Sequence, residues 1–128
     1  MSQAKTILVT DDDKMILEGF KDLFEHKGHR VLLAENGEVG LAWLERERVD
    51  IVFMDIVMPH REGLETLIEM RRRCPDLPIY SMSGGGTKYN KQDFFGLAQK
   101  LGATGTLRKP VDPAALLKLA LDAPSRAA

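Results

Sequence analysis

The sequence predicts an α/β protein, with one doubly wound, five-stranded parallel sheet and helices on both faces. Three observations carry that expectation. Five short apolar runs alternate with five amphipathic stretches. The third run, which starts at Asp50 and continues Ile51-Val52-Phe53-Met54, shows no polar alternation, as a strand covered on both faces requires. Charged or hydroxyl residues then recur where the runs end, at Asp11, Asp12, Asp55, Ser83 and Lys109. Open α/β sheets bind ligands outside the carboxyl ends of their strands.

Thr6 to Thr10 is the first apolar run, and Ile7-Leu8-Val9 within it reads as a buried strand. Asp13 caps a first helix with Ile16, Phe20, Leu23 and Phe24 on one face, and Gly28 stops it. Arg30 to Ala34 is the second strand, and Asn36 caps a helix carrying Val39, Ala42, Trp43 and Leu44. Asp50 to Met54 is the third strand. Pro59 and Gly63 bracket a loop before a helix with Leu64, Leu67 and Ile68 inward, which Pro75 ends. Leu77 to Met82 is the fourth strand, with Pro78 near its start, where a missing N–H is tolerated. The loop Ser83-Gly84-Gly85-Gly86 follows. Phe94, Leu97, Ala98 and Leu101 mark the fourth helix, which Gly102 stops. Thr104 to Arg108 is the fifth strand. Asp112-Pro113 opens the last helix, lined by Leu116, Leu117, Ala120 and Leu121.

A chain of 128 residues with 44% apolar and 29% charged residues supports one domain with a real core. A net charge of −1 gives no bulk attraction to nucleic acid or anionic membrane, so neither is expected as a direct partner. Arg71-Arg72-Arg73 is best read as a solvated helix end. The single cysteine, Cys74, excludes an internal disulfide and reads as an inert thiol. His26, His29 and His60 lack metal-ligand spacing and are expected at the surface. No run is long enough to span a membrane and no signal-peptide pattern precedes the first strand, so a cytoplasmic location is expected.

Asp11-Asp12-Asp13 crowds three carboxylates at one strand end. Their mutual repulsion is relieved by a cation, and a hard divalent ion such as Mg²⁺ takes oxygen ligands and keeps several waters. The motifs Ile7-Leu8-Val9-Thr10-Asp11-Asp12-Asp13, Met54-Asp55-Ile56-Val57-Met58-Pro59, Leu101-Gly102-Ala103 and Lys109-Pro110 occur in this order. On these motifs residues 4–122 resemble the receiver domains of bacterial two-component response regulators. The resemblance implies a flavodoxin-like fold with strand order 2-1-3-4-5. It implies that Asp55 is the phosphoacceptor and that Lys109 and Ser83 engage the phosphoryl oxygens. Asp12, Asp55 and the backbone carbonyl of Val57 would hold Mg²⁺, with Asp11 acting through water, and backbone N–H groups of Val57 and Gly84 would assist. Ser83, Gly84 and Thr106 fall at the family's switch positions.

Three departures from the family pattern stand out. Thr106 replaces the usual aromatic, so no large ring is present there to swing inward. Val57 is apolar where polar residues are frequent. Gly84-Gly85-Gly86 makes the entry to the fourth helix entropically loose. The family reading gives a single receiver domain over 1–128 with no attached output domain, since only six residues follow Asp122. Such a domain is not a conventional enzyme. It would take phosphate from a sensor histidine kinase or phosphotransfer protein and signal through a downstream protein or a homodimer. The expected output surface is the fourth helix, fifth strand and fifth helix, to which Tyr89, Phe94 and Phe95 would contribute as the sharper alternative to core or loop roles. Two other functional readings compete. A haloacid-dehalogenase-type phosphatase would use Asp11 and Asp13 but leaves Asp55-x-x-Met-Pro unexplained. A phosphorylation-independent docking module leaves Asp11, Asp12, Asp55 and Lys109 without a purpose. A flavodoxin-like FMN binder would need a hydroxyl- and glycine-rich loop after the first strand.

Overall fold

The computed structural model describes residues 4–56, 62–83 and 91–125. Strands and helices alternate as β1 (Thr6–Thr10), α1 (Lys14–His26), β2 (Arg30–Ala34), α2 (Gly37–Arg46), β3 (Ile51–Asp55), α3 (Glu62–Arg73), β4 (Ile79–Ser83), α4 (Lys91–Lys100), β5 (Gly105–Arg108) and α5 (Pro113–Asp122). The sheet is parallel throughout, in the order β2-β1-β3-β4-β5. Strand order reverses at β1 and β3, whose carboxyl ends therefore flank a crevice.

Alternation within each strand divides the core into two clusters. Leu8, Leu32, Val52, Met54 and Ile79 pack with Leu67 and Met70 of α3 and Ala98 of α4. Ile7, Val9, Ile51, Phe53 and Met82 pack with Leu17 and Phe24 of α1 and Leu116 and Ala120 of α5. Every residue of β3 is buried, as its unbroken apolar run requires. Three helix starts follow from their caps. Asp13 accepts from the Met15 N–H, Asn36 from the Val39 N–H, and Asp112 from the Ala114 N–H. Gly28 and Gly102 have φ of 87° and 117°, the left-handed conformation that ends a helix economically.

Several expectations need correction. Gly63 lies within α3, not in a loop, and a Cβ there would stand 2.6 Å from the Ile56 backbone. The buried stripe of α3 runs through Gly63, Thr66, Leu67 and Met70, so Ile68 points away and is exposed. Leu121 falls on the same wrong side of the stripe Leu116, Ala120, Ala123, and Val39, Ala42 and Leu97 are also exposed. His29, expected at the surface, is buried, and its Nδ1 accepts a hydrogen bond from the Lys5 backbone N–H at 3.0 Å. Arg71 is not merely a solvated helix end. Its guanidinium donates to the carbonyls of Gly102, Cys74 and Pro75 and to Thr104 Oγ1, joining α3 to the turn before β5. Cys74 is half-buried against the core. Among the described residues, no helix is long and apolar enough to cross a membrane.

Candidate functional site

Register brings the acidic residues together. Thr10 of β1 is opposite Met54 of β3, so the next residues, Asp11 and Asp55, emerge side by side at the reversal point. The sheet ladder continues past the strand ends. Asp11 N–H donates to Ala34 O, Ile56 N–H to Met82 O, and Lys109 N–H to Ser83 O. These bonds fix the backbone from which each side chain projects, so the site rests on the rigid part of the fold.

Lys109 bridges the two buried acids. Its Nζ lies 2.7 Å from Asp11 Oδ2 and 3.2 Å from Asp55 Oδ2. Asp11 is wholly inaccessible and Asp55 nearly so, while Asp12 beside them is open to solvent. Asp11 Oδ1 also accepts from the Asp13 N–H. Burial by itself would lower the Lys109 pKa. The hydrogen bond to Asp11 and the charges of Asp55 and Asp11 more than offset this, so the ammonium is held above the ordinary lysine value. It remains charged throughout the physiological range.

Carboxylate oxygens of Asp11, Asp12 and Asp55 all lie within 4.8 Å of one another. Three hard oxygen donors with one open side suit a small divalent cation that retains part of its water shell. The donor chemistry therefore fits Mg²⁺. Asp13 stands outside this cluster, and its carboxylate is occupied in capping α1.

The other expected residues divide by position. Ser83 is buried at the end of β4, and its backbone carbonyl holds Lys109. Thr106 is half-buried opposite Ser81, deeper along the sheet than Ser83. Val57, Gly84, Gly85, Gly86, Pro59, His60 and Tyr89, and the side chains of Phe94 and Phe95, lie outside the described residues.

Residues 7–121 match the family profile described as the response regulator receiver domain. The chain belongs to that family. The receiver is similar to the protein PilH of Pseudomonas aeruginosa, 36% identical over 114 residues, which span 88% of this chain and 91% of that protein. It is also similar to the transcriptional regulatory protein CpxR of Klebsiella pneumoniae, 34% identical over 81% of this chain. The receiver spans only 42% of that regulator's length and 44% of the Bacillus subtilis alkaline phosphatase synthesis regulator PhoP. Among solved structures, a CheY-like receiver domain protein from Methanospirillum hungatei superposes with a TM-score of 0.81 at 31% identity, covering 91% of this chain and 90% of that one. Receivers serve two-component signalling, and a phosphorylation-dependent role follows for this chain.

Lys5, Thr10 and Thr104 take structural positions that the sequence does not signal. The Thr10 hydroxyl is buried without a hydrogen-bond partner, next to Gly40 and Met70. Thr104 Oγ1 accepts from the Ile79 N–H and fixes the start of β4. A threonine at a run's end is too common to signal either role.

Proposed function

We propose that this receiver takes a phosphoryl group onto Asp55 from the phosphohistidine of a sensor kinase or phosphotransfer protein. The carrying observation is Asp55, almost buried at the reversal point, within reach of both a fixed ammonium and a second carboxylate. A carboxylate oxygen of Asp55 forms the new bond to phosphorus as the P–N bond to the donor imidazole breaks, leaving an acyl phosphate and a free imidazole. Lys109 faces Asp55 at 3.2 Å and in this reading neutralises charge on the transferring group. Ser83 is the hydroxyl donor for a phosphoryl oxygen at the neighbouring strand end. Asp11, Asp12, Asp55 and the Val57 carbonyl would hold Mg²⁺, which when bound supplies charge neutralisation for the phosphoryl oxygens.

An apolar groove of about 640 Å³ lies beside Lys109, between Ile16, Phe20 and Leu23 of α1 and Pro110 and Val111 after β5. It gives a donor protein an apolar surface next to the acids. Phosphorylation then acts through Ser83, Gly84 and the face formed by α4, β5 and α5, which meets a downstream protein or a second copy. The site of action in this reading is the cytoplasm, with no direct nucleic-acid or membrane contact by this domain.

Intact-protein mass spectrometry after incubation with Mg²⁺ and a small phosphodonor tests the assignment. One phosphoryl adduct is expected, absent without Mg²⁺ and absent in Asp55→Asn. An adduct that persists in Asp55→Asn and disappears in Asp11→Asn would overturn it in favour of phosphatase chemistry.

A further inference from the structure

At the opposite end of the sheet from the acids, Lys5 immediately precedes β1 and is buried. Its ammonium donates to Ala120 O at 3.3 Å, to Leu121 O at 2.9 Å and to Ala123 O. These carbonyls belong to the last turn of α5, where no intrahelical donor reaches them and where the helix dipole favours a cation. Lys5 thereby fastens the C-terminal end of α5 to the start of β1. No basic residue of α5 itself lies in that turn.

The backbone N–H of Lys5 donates to His29 Nδ1. A backbone N–H can only donate, so Nδ1 must be the unprotonated nitrogen and Nε2 carries the ring hydrogen. A proton added at Nδ1 removes the acceptor, and it sets a second cation beside the Lys5 ammonium. The surroundings offer this cation little relief. The Phe24 ring meets His29 edge-on from α1, with centroids 6.3 Å apart. Asp50 at the start of β3 accepts from the Thr6 N–H at 2.7 Å, and Asp122 of α5 is paired with Lys118. Glu25 pairs with Lys21, and the adjoining His26, Lys27 and Arg30 are exposed.

We propose that His29 and Lys5 form a proton-sensitive latch on the C-terminal end of α5, closed when the ring is neutral and released on acidification. The latch is independent of the phosphoacceptor assignment, because it lies at the far end of the strands. Its output is the seating of α5, so mild acid would loosen one edge of the face through which a receiver would signal. Burial, and then the charge of Lys5, hold the His29 pKa below the ordinary 6.5. The neutral ring is therefore the folded chain's preferred form. The open latch takes up the proton first, and opening becomes easier as pH falls below about 6.5 until the lowered folded value is passed.

NMR on the full chain provides the test, following the His29 ring and the amides of Leu119 to Ala123 from about pH 7.5 to about pH 5. Ring and amides should titrate together. Amide exchange, corrected for its intrinsic pH dependence, should rise by about tenfold for each pKa unit separating the closed and open ring. His29→Asn places a non-titrating amide where Nδ1 stands, and the α5 response should vanish. Lys5→Met retains the backbone donor but removes the ammonium. There the His29 midpoint should rise while the α5 amides cease to follow it. Amides of α5 that stay flat while the wild-type ring titrates would overturn the latch, as would an undiminished response in either variant.

Discussion

Lys109 is the residue on which the electrostatics of the acid site turn. Its ammonium is shared between a fully buried carboxylate and a nearly buried one, so Lys109→Met takes from Asp11 and Asp55 the cation they share. Losing one member of such a buried set should cost about 2–3 kcal/mol at neutral pH, with the partly open Asp12 side moderating the loss. Denaturant melts should show that cost, and Mg²⁺ should restore part of it. Asp12→Ala has the opposite sign without metal, because it removes one like charge from the cluster. Thermal melts should show a stabilised metal-free protein, while calorimetry records Mg²⁺ affinity lower by about tenfold or more. Undiminished Mg²⁺ affinity in Asp12→Ala would place the ion elsewhere. Asp11, Asp12 and Asp55 could be placed together from the sequence because they lie at or just past the ends of apolar runs, and strand ends in a parallel sheet converge, whereas Lys109 after Arg108 stood out only through the family resemblance. His29 was not legible, because its burial depends on one backbone N–H at the start of a different strand.

At the scale of elements, α3 has a tightly constrained start. Its first turn passes so close to the end of β3 that Gly63 has no room for a side chain, with Ile56 Cα and O both 2.6 Å from an added Cβ. Backbone cannot yield as a flexible side chain does, so Gly63→Ala should destabilise by about 3 kcal/mol. A comparison with Gly40→Ala calibrates this. Gly40 faces Thr10 Oγ1 at 3.0 Å and Met70 Cε at 3.1 Å, which are side-chain atoms able to shift, and about 1 kcal/mol is expected. Equal losses in the two variants, measured by chemical denaturation, would contradict the close approach at α3. The helices themselves were legible from their caps and stops, but their inner faces were less so. Thr66 takes a buried position that an apolar pattern skips, and this shifted the expected stripe of α3 toward Ile68. A similar offset misplaced Leu121.

Across the whole molecule, strand order had to come from the family resemblance, because periodicity identifies strands without saying which ones pair. The two ends of the resulting sheet carry different chemistry, with acids and Lys109 at one and Lys5 with His29 at the other. If Asp55 carries the phosphoryl group as proposed, its signal would pass to the neighbouring strand β4 and on to the edge strand β5. Thr106 is small and sits opposite Ser81, so the coupling should run through Ser83. On phosphorylation, or with a beryllofluoride mimic, new amide protection should concentrate at residues 83–90. Ser83→Ala should blunt it and Thr106→Ala should leave most of it; the reverse pattern would defeat this route. The position of Lys109 also bears on how the chain folds. Asp11 and Asp55 come from the first and third strands, whereas their shared cation arrives only with the fifth. Until that edge strand docks, two carboxylates oppose each other at the centre of a nascent sheet, so completing the sheet discharges a repulsion built up in its middle. Refolding at neutral pH should then quicken with added salt, which screens those charges during the interval before β5 arrives.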